Sequence, residues 1–360
     1  MTTRTALILS LLAWPTIGLA EEPKPGEPKP AEKKPAEKKP AAKKPAAKRP
    51  PKPEAVTDPA KAGPDYWIQG EYVGDAPGGG KLAAQVFALG DGKFDVWFLT
   101  GGLPGEGWDG KGRVKASAAA GDGKVGVSGA GYEATIEGTP ESGRLVGRAP
   151  DGKDFALTRV LRRSPTEGAK PPAGAVVLFD GNGTDHWKGG KLTADGLLLA
   201  GPTTQKPFGD CTLHVEFRTC WLPTVRGQDR SNSGVYIQQR YEIQVLDSFA
   251  IDLRNNHCGS VYTQIAPAVN MCYPPLSWQT YDIEFRGPRF DADGKKIANA
   301  RITVLHNGVK VHDDVEVKSK TGYGKPEGPA PGPLTLQNHG SPVAYRNVWL
   351  AEKPAQEKQP

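Results

Sequence analysis

Short runs of alternating apolar and polar residues, separated by glycine-rich turns, fill the chain from residue 65 to residue 350. Alternation with a period of two places successive side chains on opposite faces of a β-strand. In the C-terminal half, no segment keeps a 3.6-residue period over ten positions. The pattern therefore predicts an all-β protein.

The first group of strands predicts a small, Gly-rich all-β domain at residues 64–163. Pairs such as Asp91-Gly92, Asp122-Gly123 and Asp151-Gly152 separate its strands, and such pairs favour tight hairpins. About 100 residues of short strands predict a barrel or a meander. The domain has no histidine and no cluster of carboxylates. Its aromatic residues are expected mainly in the core, with stacking on sugar rings as the alternative; they include Trp67, Tyr72, Trp97 and Trp108.

The second group contains ten or more short strands at residues 175–352, which predicts a β-sandwich of the jelly-roll type. Its clearest hairpin turns at Asn307-Gly308, because this dipeptide accepts the positive φ of a type I′ turn. Residues 164–174, rich in Pro, Gly and Lys, predict a linker between the two domains. Residues 353–360 are expected to form a flexible tail.

The N-terminus predicts export. Residues 1–20 combine Arg4, an apolar run and small residues before Glu21, which is typical of a signal peptide. The localisation that follows is periplasmic, cell-surface or secreted. Residues 21–63 repeat a Lys/Pro/Ala theme with almost nothing to bury, so we expect a disordered tail.

The basic tail decides how the chain's formal net charge of +6 is interpreted. Residues 21–53 hold eleven Lys and Arg but five Glu, so the remainder of the chain is nearly neutral. A solvated spacer is the simpler interpretation, and contact with an anionic surface is the alternative. No motif supports nucleic-acid binding.

Four cysteines are too few for a disulfide scaffold and lack zinc-finger spacing. Cys258 and Cys272 flank a loop that a disulfide could close. Cys211 and Cys220 stand at the two ends of one predicted strand, which is too long for a bond between them.

Eight ordered motifs cover nearly the whole second domain and resemble the 3-keto-disaccharide hydrolase family. They are LFDGNGTDHW (178–187), LHVEFR (213–218), NSGVYIQ (232–238), YEIQVLDS (241–248), CGSVY (258–262), WQTYDIEFRGPRFDADGK (278–295), ARITVLHNGVKVHD (300–313) and LTLQNHGSPVAYRNVWL (334–350). The resemblance implies a concanavalin-like fold with a pocket on its concave face. It says nothing of the first domain.

The resemblance also implies a substrate: an oligosaccharide or glycoside already oxidised at C3 by a separate sugar 3-dehydrogenase. A C3 ketone acidifies the C2 proton, and the substituent at C1 can then leave by elimination before water adds. Such a site needs a base near C2, a proton donor near the glycosidic oxygen and donors for the developing enolate. A non-catalytic, lectin-like carbohydrate-binding module is the alternative, since fold does not fix function.

Strand alternation and the family motifs together nominate the site residues. His339 and Glu242 are the candidate catalytic residues, and His339 with Glu242 would be the ligands if a divalent metal were used; no cofactor is otherwise implied. His339 lies at the strand-to-loop transition of the segment LQNHG, where Gly340 permits an abrupt turn. The candidate substrate-binding residues are Glu216, Arg218, Gln244, Gln337 and His257.

Overall fold

The structure is a computed structural model that describes residues 53–139 and 142–354. The predicted signal peptide and most of the Lys/Pro/Ala tail lie outside the described residues. The last part of that tail is ordered: Val56 forms a β-bridge with Trp221, with N–O distances of 3.1 and 2.8 Å. A 3₁₀ helix follows at Pro59–Lys61, capped by Asp58, and an α-helix (α1) spans Pro64–Ile68.

The N-terminal domain is a closed antiparallel barrel in which each strand pairs with the next and the last pairs with the first. The first and last strands pair with each other, with Glu71 opposite Val160, and this pairing closes the barrel. The strands are β1 (Gly70–Asp75), β2 (Lys81–Gly90), β3 (Lys93–Thr100), β4 (Arg113–Gly121), β5 (Lys124–Gly129), β6 (Tyr132–Glu137), β7 (Arg144–Arg148) and β8 (Asp154–Val160).

Two of the predicted barrel hairpins have the expected backbone. Asp91 and Gly92 both have positive φ, 54° and 69°, and Asp122 and Gly123 repeat this with 49° and 74°. Positive φ at both central residues defines the type I′ turn, whose twist matches that of the flanking strands. Several aromatic rings pack inside the barrel, where Phe98 stacks on Tyr132 with centroids 3.8 Å apart.

The C-terminal domain is a sandwich of two antiparallel sheets. The smaller sheet has the order β10-β12-β21-β14-β15, and the larger has the order β11-β22-β13-β16-β19-β20 with β9 on β22. The strands are β9 (Val176–Phe179), β10 (Trp187–Lys188), β11 (Leu198–Leu199), β12 (Thr203–Phe208), β13 (Cys211–Arg218), β14 (Asn232–Ile237), β15 (Tyr241–Leu246), β16 (Trp278–Arg286), β17 (Arg289–Phe290), β18 (Lys296–Ala298), β19 (Ala300–His306), β20 (Val309–Val317), β21 (Gly332–Leu336) and β22 (Ala344–Glu352). The all-β fold with a sandwich and a small barrel-like domain is confirmed.

The core between the two sheets follows from strand alternation. Leu213, Val215 and Phe217 of β13 are fully buried in it, and so are Ile243 and Val245 of β15. The intervening residues of both strands must therefore point away from the core, on opposite outer faces of the sandwich. This parity decides which candidate residues can meet.

The predicted linker is docked on the outer face of the larger sheet rather than free. Ser164 Oγ lies 2.6 Å from Thr280 Oγ1, and the Gly168 backbone N–H donates to Glu216. Ala169 O accepts from the Trp349 indole at 3.1 Å. The segment has few apolar residues to bury, and it is held instead by hydrogen bonds from its hydroxyls and backbone.

All four cysteines are buried free thiols in the structure. The Cys258 and Cys272 thiols lie within hydrogen-bonding contact of each other, and Cys258 Sγ is 3.1 Å from the Tyr281 hydroxyl. Within the ranges that the structure describes, no helix is long and apolar enough to cross a bilayer.

Candidate functional site

The outer face of the smaller sheet carries a row of polar side chains across four strands. Tyr236 of β14 is in register with Thr335 of β21 on one side and with Glu242 of β15 on the other. Thr335 in turn is in register with Thr203 of β12, and their hydroxyls are 2.8 Å apart. Beyond β15, Tyr262 N donates to Glu242 O at 3.1 Å, which adds Tyr262 to the row.

A second row lies beside the first. Gln337 N donates to Gly234 O, Gly234 is in register with Gln244, and Gln244 N donates to Ser260 O at 3.0 Å. Gly234 leaves space for the side chain of Glu242, since a Cβ built there would lie 2.9 Å from Glu242 Cδ and closer still to Oε1. The two rows form a polar surface, called here the floor, with the Glu242 carboxyl near its centre.

The Glu242 carboxyl is almost completely withdrawn from solvent, with 1% of the residue exposed. Burial raises the pKa of Glu242 to about 7, because the charged form loses its hydration, and the facing Tyr236 hydroxyl opposes this increase only in part. The pKa of Tyr236 is raised by burial and by the charge of Glu242. Near neutral pH, Glu242 can therefore exchange a proton while Tyr236 keeps its own.

Several buried polar atoms on or beside the floor have no hydrogen-bond partner among the described residues. Most buried polar groups in native proteins are paired, so these unpaired atoms indicate a surface that binds a polar ligand. In the described part of the chain these atoms include Asn232 Oδ1, Tyr236 OH, Glu242 Oε2, Gln244 Oε1, Ser260 Oγ and Gln337 Oε1.

A cavity of about 180 Å³ opens over the floor. Its lining residues are Tyr236, Gln239, Tyr323, Lys325, Thr335 and Gln337. A broader groove of about 500 Å³ over β12 shares Gln239 and Lys325 with it. The ring of Tyr323 is 90% exposed at the cavity rim.

A loop at residues 318–327 covers the Glu242 side of the floor. Thr321 Oγ1 accepts from the Glu242 backbone N–H at 2.8 Å, and Thr321 N donates to Arg240 O. A Cβ built on Gly322 would lie 3.0 Å from Tyr262 Cδ1 and 3.5 Å from the Tyr236 hydroxyl. The loop thus packs directly over the two tyrosines that flank Glu242.

Three predicted site residues come together on the floor: Glu242, Gln244 and Gln337. His257 lies in the loop just before Ser260 and is 8% exposed. Its Nδ1 has no hydrogen-bond partner in the described residues. Burial lowers the pKa of His257, which favours the neutral ring. His339 is exposed in the loop after β21 and is not among the residues lining the cavity. Glu242 is not among the lining residues either, but it is in register with Tyr236, which lines the cavity.

Glu216 and Arg218 lie on the opposite outer face of the sandwich, because they alternate with the core residues of β13. Glu216 Oε2 accepts from Arg346 Nε at 2.7 Å, and the docked linker covers it. Arg218 stacks near Trp278, with its guanidinium carbon 5.1 Å from the ring centroid. These two side chains are therefore separated from Glu242 by the thickness of the sandwich.

Glu216 belongs to a buried charge cluster with His214. His214 Nδ1 is 2.6 Å from Asp282 Oδ1, and its Nε2 is 3.5 Å from Glu216 Oε1. Burial acts to lower the pKa of His214, but hydrogen bonds to the two carboxylates outweigh it and the pKa is raised overall. The pKa of Glu216 is about 2, because its hydrogen bonds outweigh the opposing effect of burial. Sequence reasoning placed Glu216 at the pocket, whereas in the structure its carboxylate accepts from the linker residue Gly168.

Sequence reasoning missed Tyr236, Tyr262 and Thr335. Tyr236 alternates with the core residues Val235 and Ile237, so strand parity in the NSGVYIQ motif was a usable signal for it. Among the described residues, no group of three or more His, Cys, Asp or Glu side chains is arranged to hold a metal ion.

Residues 174–351 match the family described as the 3-keto-alpha-glucoside-1,2-lyase-like domain. The C-terminal domain belongs to this family. The match covers the whole sandwich, including every strand of the floor, and begins after the barrel. No curated protein is similar to this chain.

The 3-keto-alpha-glucoside-1,2-lyase-like domain also has solved structural neighbours. A crystal structure of a candidate glycosyl hydrolase from Parabacteroides distasonis is 31% identical, covers 51% of this chain and 85% of its own, and has a TM-score of 0.47. A second candidate glycosyl hydrolase from the same organism is 18% identical, covers 54% of this chain and 98% of its own, and has a TM-score of 0.38.

Proposed function

We propose that the sandwich is a carbohydrate-active enzyme domain that cleaves the glycosidic bond of 3-keto-glycosides, and that Glu242 is its base. The observation that carries the proposal is the Glu242 carboxyl: it is buried against Gly234, its pKa is raised to about 7, its Oε2 is unpaired, and it lies on the floor in register with Tyr236, which lines the cavity. A general base works best when its pKa is close to the operating pH. Membership of a family named for 3-keto-glucoside cleavage supplies the substrate class.

The reaction follows from the substrate. Glu242 takes the C2 proton, and the C–H electron pair forms an enolate with its charge on O3. The enolate collapses to the C3 ketone, a C1–C2 double bond forms, and the C1–O bond breaks with its electron pair on the leaving oxygen. A proton reaches that oxygen, water then adds at C1, and a proton returns to C2, which completes a net hydrolysis.

The other floor residues have roles that their protonation states allow. The Tyr236 hydroxyl remains protonated, because its pKa is raised, and it can donate to the enolate or to the leaving oxygen. Lys325 at the cavity lining provides a cation for the developing charge. The amide groups of Gln244 and Gln337 have unpaired oxygens that can accept from sugar hydroxyls.

The test compares a 3-keto-disaccharide with its parent disaccharide, using the full chain. We expect monosaccharide release from the 3-keto substrate alone. Saturable binding of the parent sugar without any release from the 3-keto substrate would favour the lectin-like alternative and overturn the enzyme proposal. Export, the basic tail's contact with an anionic surface and a partner 3-dehydrogenase remain predictions from the sequence.

A further inference from the structure

Two loops of the sandwich border the floor, and the barrel contacts both. The Gln228 loop, residues 223–231, precedes β14 and includes the 3₁₀ helix Gly227–Asp229. The Asn256 loop, residues 247–258, follows β15. The residues lining the cavity over the floor include none from the barrel, and these loops offer a route by which the barrel can influence Glu242.

Strand β2 of the barrel holds the Gln228 loop. Leu89 O accepts from Arg226 NH2 at 2.9 Å. Phe87 is 4% exposed, packs into the sandwich core, and has its ring centroid 4.4 Å from the guanidinium carbon of Arg230. Arg230 is itself buried and pairs with Asp247 at 2.7 Å. The contact therefore combines apolar packing with a buried, fixed cation.

Strand β4 holds the Asn256 loop through Arg113. This guanidinium pairs with Asp252 at 2.7 Å, donates to Ala250 O, and lies 3.7 Å from the centroid of Trp97. The Arg113 side chain is 14% exposed but Asp252 is 76% exposed, so water screens the ion pair, and the bond to Ala250 O and the packing on Trp97 are the more protected part of the contact. A barrel side chain thus fixes the start of the loop that ends beside Ser260.

The two loops meet at Gln228. Its Nε2 donates to Asn256 O at 2.8 Å, and its Oε1 accepts from Gln244 Nε2 at 2.9 Å. Asn232 Nδ2 also donates to Gln228 O at 2.7 Å. Gln228 therefore joins both barrel-held loops to Gln244, the floor residue two positions from Glu242.

We infer that the barrel is a positioning domain for the floor and that Gln228 is the residue through which it acts. The inference rests on the proposed function and assigns the barrel a part in it. By fixing both loops, the barrel holds the Gln244 amide in place and keeps water from the edge of the floor. Water entry would lower the pKa of Glu242 from about 7 toward its ordinary value.

The experiment uses full-length chain with Arg113→Met, Gln228→Ala and the double variant. Lys115→Met is the matched control. Lys115 lies on the same strand and near the same Trp97 ring, but it pairs with Asp95, which belongs to the barrel and not to the Asn256 loop. Arg113→Met and Gln228→Ala should each lower kcat about tenfold with a smaller change in KM. The acid limb of the pH profile should move to lower pH, and Arg113→Lys should restore most of the rate.

The double variant decides whether Arg113 acts through Gln228. We expect it to be no slower than Gln228→Ala alone, since residues in one pathway are not additive. Losses that multiply in the double variant, or an Arg113→Met protein with the kcat and pH profile of the control, would overturn the inference.

A readout independent of substrate separates this inference from the proposed function. Amide hydrogen exchange should become faster in the two loops, residues 223–231 and 247–258, of Arg113→Met but not of Lys115→Met. A wild-type chain without turnover would contradict the proposed function alone. Unchanged exchange in Arg113→Met would contradict the positioning role whether or not the chain is active.

Discussion

The Glu242 carboxyl lies across the backbone of Gly234 on the neighbouring strand, in the space that a side chain would occupy. Gly234 has an ordinary extended backbone, so its φ does not require glycine. Glycine is required because a Cβ would overlap the Glu242 carboxyl. The buried position of the Glu242 carboxyl therefore requires glycine at position 234.

Replacing Gly234 with alanine should displace the carboxyl and leave the strand in place. We expect kcat/KM on a 3-keto-disaccharide to fall at least about tenfold, with a loss of about 1–3 kcal/mol in the free energy of unfolding from overpacking. Gly126→Ala on β5 is the control, because a Cβ there has nothing within 4 Å. Full activity in Gly234→Ala would show that the carboxyl position does not matter.

Burial of Glu242 predicts that the free energy of unfolding falls as the pH rises. Its pKa is about 7 in the folded chain against 4.5 for a free side chain, so the folded state prefers the protonated form. The associated stability is fully present below pH 4.5 and is lost as the pH rises through 7. Glu242→Gln should therefore gain up to about 3 kcal/mol over the wild type between pH 4 and pH 8. Denaturant unfolding at both pH values measures this, and equal differences at the two pH values would contradict it.

The cluster that holds the linker predicts a second pH dependence, through His214. The pKa of His214 is raised above 6.5, so its stabilising effect is fully present below pH 6.5 and is lost as the pH rises through the raised value. His214→Gln should lower the melting temperature more at pH 6 than at pH 9. The exposed His186→Gln is the control. A constant difference across this range would show that protonated His214 does not contribute.

Strand alternation in the sequence was enough to predict the all-β fold and to place Glu242 and Gln244 on one face. It was not enough to assign strands to sheets, so Glu216 and Arg218, which alternate in the same way, were placed at the same pocket. Sheet assignment depends on long-range pairing, such as that of Glu216 with Arg346, which local pattern does not encode.

Two further differences have local causes. The linker at residues 164–174 is docked by hydroxyl and backbone hydrogen bonds, which hydrophobic patterning does not detect. Whether His339 contacts a substrate depends on the path of an irregular loop, and the motif LQNHG fixes only where β21 ends. The loop at residues 318–327 that covers Glu242 also has no periodic signal.

Exchange of the C2 proton of a 3-keto-disaccharide in deuterated solvent tests the assignment of Glu242 most directly. The wild type and His339→Ala should incorporate deuterium at C2, because His339 is exposed in the loop after β21 and the proposed base is Glu242. Glu242→Gln should lose this exchange and the release of monosaccharide together while remaining folded. Retained exchange in Glu242→Gln, or its loss in His339→Ala alone, would contradict Glu242 as the base.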